Sequence, residues 1–186
     1  MENEKALAYL SEVIDNDKIA LLRKIGYFTS PASSRYHLSV EGGLAQHSVN
    51  VVDTMLNINE KMNLGLQRKD IILAGMLHDL CKVGTYRPNI LKSGNVSKVQ
   101  PFAVNKQFTL GHGAESLYLA INDLDIKLPI YVAEAIYWHM GFKYPDDNGA
   151  INTLKKQPID ILFVWLLQSA DLYATWIMEE DNNERW

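Results

Sequence analysis

The stretch MLHDLCKVG, residues 76–84, ends the apolar run IILAGML (71–77) on a histidine and an aspartate side by side, with a lysine three residues further on. An unbroken apolar run of that length predicts a central helix surrounded by other helices. Two ionisable groups at the end of such a helix are costly to bury unless a cation or dense hydrogen bonding compensates them. What compensates them must come from elsewhere in the chain.

The 186 residues are 47% hydrophobic, enough for a sizeable core in one domain. A formal charge of −4 and a pI of 5.7 argue against a generic grip on duplex nucleic acid, which calls for a basic balance. Cys81 is the single cysteine, so neither an intramolecular disulfide nor a cysteine-rich metal site can form. The N-terminal MENEKALAYL carries no signal pattern, and no apolar run suggests a membrane span, so a cytoplasmic protein without membrane contact is expected.

Most of the chain has a helical rhythm. EKALAYLSEVI places Leu7, Leu10 and Ile14 at helical spacing, and DKIALLRKIG closes on Gly26 as a short capped helix. After the turn YFTSPASSRYH and the glycines at 42 and 43, a long amphipathic pattern puts Leu44, Val51, Met55, Ile58 and Met62 on one broad face. RKDIILAGMLHDLC (68–81) reads as one buried helix. Between 84 and 110 the rhythm breaks at Pro88, KSGN and Pro101, which predicts a loop with a short β-hairpin. Helices resume with GAESLYLAINDL and with LPIYVAEAIYWHM, where Pro129 stands near the start. A loop, GFKYPDDNGAINTL, leads to the last long helix, IDILFVWLLQSADLYATWIM. The expectation is one all-α domain over residues 1–186.

Polar residues recur on the inward faces of these helices. His47 lies three residues after Leu44, His78 four after Ala74, His139 three after Ile136, and Asp171 four after Leu167. A lone histidine on an apolar face is usually a core residue with its hydrogen bonds satisfied. Several histidines and two aspartates would each need a separate explanation, whereas one divalent-metal site accounts for them together. Imidazole with carboxylate suits zinc, manganese, iron, cobalt or nickel, while calcium prefers oxygen ligands.

In chain order, His47, the doublet His78-Asp79, His112 in LGHGAES, His139 in YWHMG and Asp171 in SADLY resemble the HD-domain superfamily of metal-dependent phosphohydrolases, over about Pro31 to Trp176. PASSRYHLSVEGGLAQHSVNV together with HDLCKVG is similar to small bacterial and phage HD hydrolases and to the HD nuclease domain of some bacterial 3′–5′ exoribonucleases. The resemblance implies a helical bundle and one or two divalent transition-metal ions. His47, His78, Asp79 and Asp171 would hold the first ion. Asp79 would bridge to a second ion held by His112 and His139. Adjacent helical residues diverge by about 100°, so His78 and Asp79 would flank an ion rather than both point at it.

The implied reaction is hydrolysis of a nucleotide phosphomonoester or phosphodiester, or of an RNA end, by metal-activated water, with Asp79 and Lys82 as catalytic residues. Lys82, three residues after Asp79 on nearly the same helical face, is expected to meet the substrate phosphate or the bridging oxygen. Arg35, Tyr36 and His37 form a second candidate substrate-binding group, and Tyr86, Arg87, Trp138 and Lys143 are candidates for the pocket border. A small-molecule nucleotide is the expected partner, with short RNA as the other possibility. The same six ligands and lysine also resemble the di-iron oxygenases of the superfamily, and a metal-containing nucleotide-binding or regulatory protein is the third reading.

Overall fold

The computed structural model describes residues 3–106, 109–142 and 148–179. Helix α1 (Glu4–Val13) starts where the Asn3 side chain accepts the Ala6 amide at 3.0 Å, and α2 (Asn16–Ile25) stops at Gly26, whose φ of 91° lies in the left-handed region. The long α3 (Gly43–Lys61) and α4 (Arg68–Leu77) follow. The strands β1 (Tyr86–Pro88) and β2 (Phe102–Val104) pair antiparallel, Tyr86 opposite Val104. The chain continues through α5 (His112–Tyr118) with a π-helical turn at Leu119–Asp123, α6 (Ile130–Trp138), α7 (Asn148–Leu154) and α8 (Pro158–Tyr173). A second π-helical turn, Ala174–Met178, extends α8.

One core runs from Ala6 to Ala174. Every residue of α4 from Asp70 to Leu77 is buried, and the helix packs against α1, α3 and α6. Its close approach to α3 depends on Gly75, where a β-carbon would come within 2.6 Å of Val52 Cγ2. The exit of α4 is held by Tyr27, whose buried hydroxyl donates to the Met76 carbonyl at 2.8 Å. The bundle is completed by α8 against α3 and α6, and by α5 against α6. The all-α bundle with a small hairpin near 84–110 is therefore the observed architecture.

Three expectations change in detail. The buried helix does not run through residue 81: it ends at Leu77, and Asp79 leaves helical geometry at φ −108° and ψ 22°. A 3₁₀ turn, Leu80–Lys82, follows, with the Lys82 amide donating to the Asp79 carbonyl at 2.9 Å. Because i and i+3 eclipse in a 3₁₀ turn, Lys82 still stands over Asp79. Part of the expected loop before the last helix is α7, and Met62 lies exposed just past the end of α3.

The rod Pro158–Met178 is, contrary to the sequence reading, long and apolar enough to cross a membrane, at 21 residues and a mean hydropathy of 1.4. Asp160, Gln168 and Asp171 interrupt that run and hid its length. Its inner face, with Phe163, Val164, Leu166 and Leu167, is buried against the bundle, as in a core helix.

Candidate metal centre

The C-terminal ends of three helices and the second turn of a fourth meet around the doublet. His47 comes from the second turn of α3, His78 caps α4, His139 caps α6, and Asp171 lies in the last turn of α8. His47, His78 and His139 are buried, as is Asp79. The His47 and His78 Nε2 atoms lie 3.3 Å apart. Asp171 Oδ1 stands 3.2 Å from His47 Nε2 and 3.9 Å from His78 Nε2, and Asp79 Oδ2 stands 3.6 and 3.5 Å from the same two atoms. The other oxygen, Asp79 Oδ1, faces His139 Nε2 at 3.6 Å and His112 Nδ1 at 3.9 Å. Asp79 thus turns one oxygen toward each half of the cluster.

Hydrogen bonds at the far ring nitrogens orient these imidazoles. His78 Nδ1 donates to the Gly75 carbonyl at 2.8 Å and His139 Nδ1 to the Ile136 carbonyl at 2.7 Å, which leaves each Nε2 lone pair facing the cluster. Gly113 in α5 keeps His112 close to α6, since a β-carbon there would collide with the Tyr137 carbonyl oxygen. The buried His112 Nδ1 and His139 Nε2 have no hydrogen-bond partner among the described residues. Such orphaned acceptors are rare and call for an absent ion or water. Ligands around an ion at about 2.1 Å lie about 3.0–3.5 Å from one another, close to the separations found for His47, His78, Asp79 and Asp171. The residues therefore fit a divalent ion, and the His47, His78 and Asp79 ligand atoms all lie within 4.8 Å of one another.

The charge states in the cluster follow from burial and neighbouring charges. Burial alone would push His47 down, but the carboxylates of Asp171 and Glu179 at its two ring nitrogens outweigh it and hold the imidazolium up to about 9. Burial pushes His78 down to about 4, so it stays neutral. Burial works against ionised Asp79, yet Lys82, with Nζ 2.5 Å from Oδ2, keeps its carboxyl well below the usual range. The same Asp79 charge overcomes the burial of Lys82 and raises that ammonium.

A cavity of about 230 Å³ opens on the cluster, lined by Asp79, Lys82, His112, His139 and Asp171. His37 also reaches its wall, from a tightly held loop: Ser33 Oγ donates to the His37 carbonyl at 2.8 Å, and the next residue, Leu38, takes a φ of 42°. Among the described residues, the other substrate-contact candidates except Lys82 do not line it. Arg35 and Tyr36 are exposed and stack on each other, with the guanidinium 4.7 Å from the ring centroid. Arg87 is exposed on β1, Trp138 stacks on Phe142 at the edge of the core, and Tyr86 borders a separate cavity beside Phe102. Lys143 lies outside the described residues.

Sequence reasoning missed Gln168, Thr175 and Trp176, which line the cavity from α8 and its extension. The first two lie three before and four after Asp171, so the helical-neighbour rule applied to that aspartate would have found them. It also missed Glu179, which had no usable signal because the π-helical turn breaks the helical period before it. No curated protein and no solved structure matches the chain. The family model of the HD domain, however, matches residues 44–176, from the second residue of α3 to just beyond Asp171, and the chain accordingly belongs to the HD-domain family.

Proposed function

We propose that the protein is a metal-dependent phosphohydrolase that cleaves a nucleotide phosphoester. The observation that supports this reading most is the division of Asp79, with Oδ2 toward His47 and His78 and Oδ1 toward His139 and His112. That division suits a carboxylate bridging two ions, with Asp171 completing the first set. Two divalent ions bound there would lower the pKa of a shared water and neutralise the phosphoryl oxygens during in-line attack.

The chain's own residues supply the rest. Lys82 brings a buried ammonium, kept charged by Asp79, to the cavity wall, where it offsets charge on the phosphoryl group. Met140, Leu172 and Trp176 give the cavity an apolar side. The cavity, at about 230 Å³, is smaller than the usual range for a whole drug-sized ligand. It suits the phosphate end of a substrate. Gln168 lines both this cavity and a larger groove of about 610 Å³ that runs past Phe142, Lys155 and Trp165. The remainder of a nucleotide, or a short RNA end, can lie in that direction.

The test is an anaerobic screen of nucleoside mono-, di- and triphosphates, cyclic nucleotides and short RNA oligomers with manganese or cobalt. Release of phosphate or nucleotide that a chelator abolishes is the expected result. No hydrolysis, with oxygen uptake by the iron-loaded form, would replace this reading with an oxygenase. Nucleotide retained without turnover would leave a binding or regulatory protein.

A further inference from the structure

His47 is held differently from its neighbours. His78 and His139 rest their Nδ1 atoms on backbone carbonyls three residues earlier in the chain. His47 Nδ1 instead meets a carboxylate, Glu179, at 3.1 Å from Oε1 and 3.0 Å from Oε2. The Glu179 side chain is 1% exposed, and Asn50, one turn after His47 on α3, donates from Nδ2 to its Oε1 at 2.8 Å. Glu179 lies beyond the residues 44–176 matched by the family model.

The π-helical turn explains how Glu179 gets there. Asp171 and Glu179 are eight residues apart, and eight residues of α-helix would carry the second side chain about 80° past two full turns. A π turn closes i→i+5 bonds and rotates less per residue. The Glu179 amide makes such a bond, to the Ala174 carbonyl at 3.1 Å. The wider turn takes up the excess rotation, so Asp171 and Glu179 face the same imidazole, one at Nε2 and the other at Nδ1.

We infer that Glu179 is a positioning residue that fixes His47 with its proton on Nδ1 and its Nε2 lone pair toward the metal centre, and strengthens it as a ligand by facing it with an anion. A carboxylate behind a ligating histidine orients the ring and raises its basicity. The inference rests on the reading of the cluster as a metal site. Glu179 is not assigned as a ligand in its own right with His37 and His47, although their ligand atoms also gather within 4.8 Å. That arrangement would need His47 to bind ions through both nitrogens and lose its last ring proton.

The experiment compares zinc affinity, by competition with a chromophoric chelator, in the 186-residue protein and in its Glu179→Ala, Glu179→Gln and His37→Ala variants. Melting temperatures of the ion-free proteins and proton spectra of the zinc-loaded ones accompany it. Glu179→Ala should weaken zinc binding by about 10- to 100-fold. Glu179→Gln, which preserves shape and one acceptor but not charge, should fall between Ala and the parent. The slowly exchanging His47 Nδ1–H signal should disappear in Glu179→Ala, and His37→Ala should leave affinity unchanged. A purely structural Glu179 would instead lower the ion-free melting temperature and leave the zinc affinity of Glu179→Gln at the parent value, which overturns the inference. Equal losses in His37→Ala and Glu179→Ala would overturn it in favour of a ligand role. Should the parent take up no zinc, the metal reading falls and this inference falls with it; a parent that binds zinc beside an indifferent Glu179→Ala removes the inference alone.

Discussion

Lys82 and the cluster it touches make the sharpest predictions for single residues. Its ammonium sits on the Asp79 oxygen that also faces His47 and His78, so an ion entering there must displace it from that oxygen. Lys82→Ala should therefore bind manganese at least as tightly as the parent while losing about 10²–10³-fold in kcat, the range for removing one charge-stabilising donor. Metal analysis beside steady-state kinetics separates the two, and an empty site with proportionate loss of activity would make Lys82 a structural residue. His47 predicts the pH dependence. Raised from 6.5 to about 9 in the ion-free protein, it contributes stability that is complete below about pH 6.5 and lost as pH rises through about 9. An ion needs the Nε2 proton gone, so metal affinity should move the other way and tighten from pH 6.5 toward 9. Zinc titrations at three pH values would detect this, and a flat profile would contradict it. The buried polar residues of the cluster were legible in the sequence because a polar residue at an apolar position of a helical repeat stands out. Arg35, Tyr36 and Arg87 have no such background in their loop and strand, and side-chain direction there depends on packing that the sequence does not display.

At the level of elements, the hairpin and the α5–α6 crossing matter most. The Phe102 amide donates to the Ser34 carbonyl at 3.2 Å, which ties β2 to the loop that carries His37. Shortening the turn at Ser93–Asn95 should therefore change KM or substrate preference and leave metal content intact; unchanged kinetics across a substrate panel would remove the hairpin from substrate selection. Gly113→Ala forces a methyl into the Tyr137 carbonyl and should cost about 1–3 kcal/mol, read as a lower denaturation midpoint. Helices with an apolar period, such as α3, or a sustained apolar run, such as α4 and α8, were readable from the sequence. The end of α4 was not, because its residues continue to favour helix while the Tyr27 hydroxyl takes the Met76 carbonyl and Ser116 Oγ accepts the Cys81 amide at 3.1 Å. Those are tertiary contacts, and local propensity carries no trace of them.

For the whole molecule, the all-α bundle followed from composition and periodicity; spacing put His47, His78, His139 and Asp171 on inward faces, whereas the grouping of residues 47, 78–79, 112, 139 and 171 around two ions came from family resemblance. Their positions span 125 residues, and only the packed bundle brings them together. Metal should stabilise such a protein by mass action: a free ion at 100 times its Kd adds about 2.7 kcal/mol. In a chain of this size that corresponds to a fall of roughly 5–10 °C in Tm when a chelator strips the ion. An unchanged melting curve would argue against a tightly held ion. The same long separation has a kinetic consequence. The cluster of His47, His78, Asp79 and Asp171 is complete only once α3, α4 and α8 have docked. Contacts absent from the folding transition state act on the unfolding rate, so zinc should slow unfolding in stopped-flow denaturant jumps and leave the refolding rate nearly unchanged. The ion would act as a latch on a bundle already assembled, and the lifetime of the folded state would then follow metal supply.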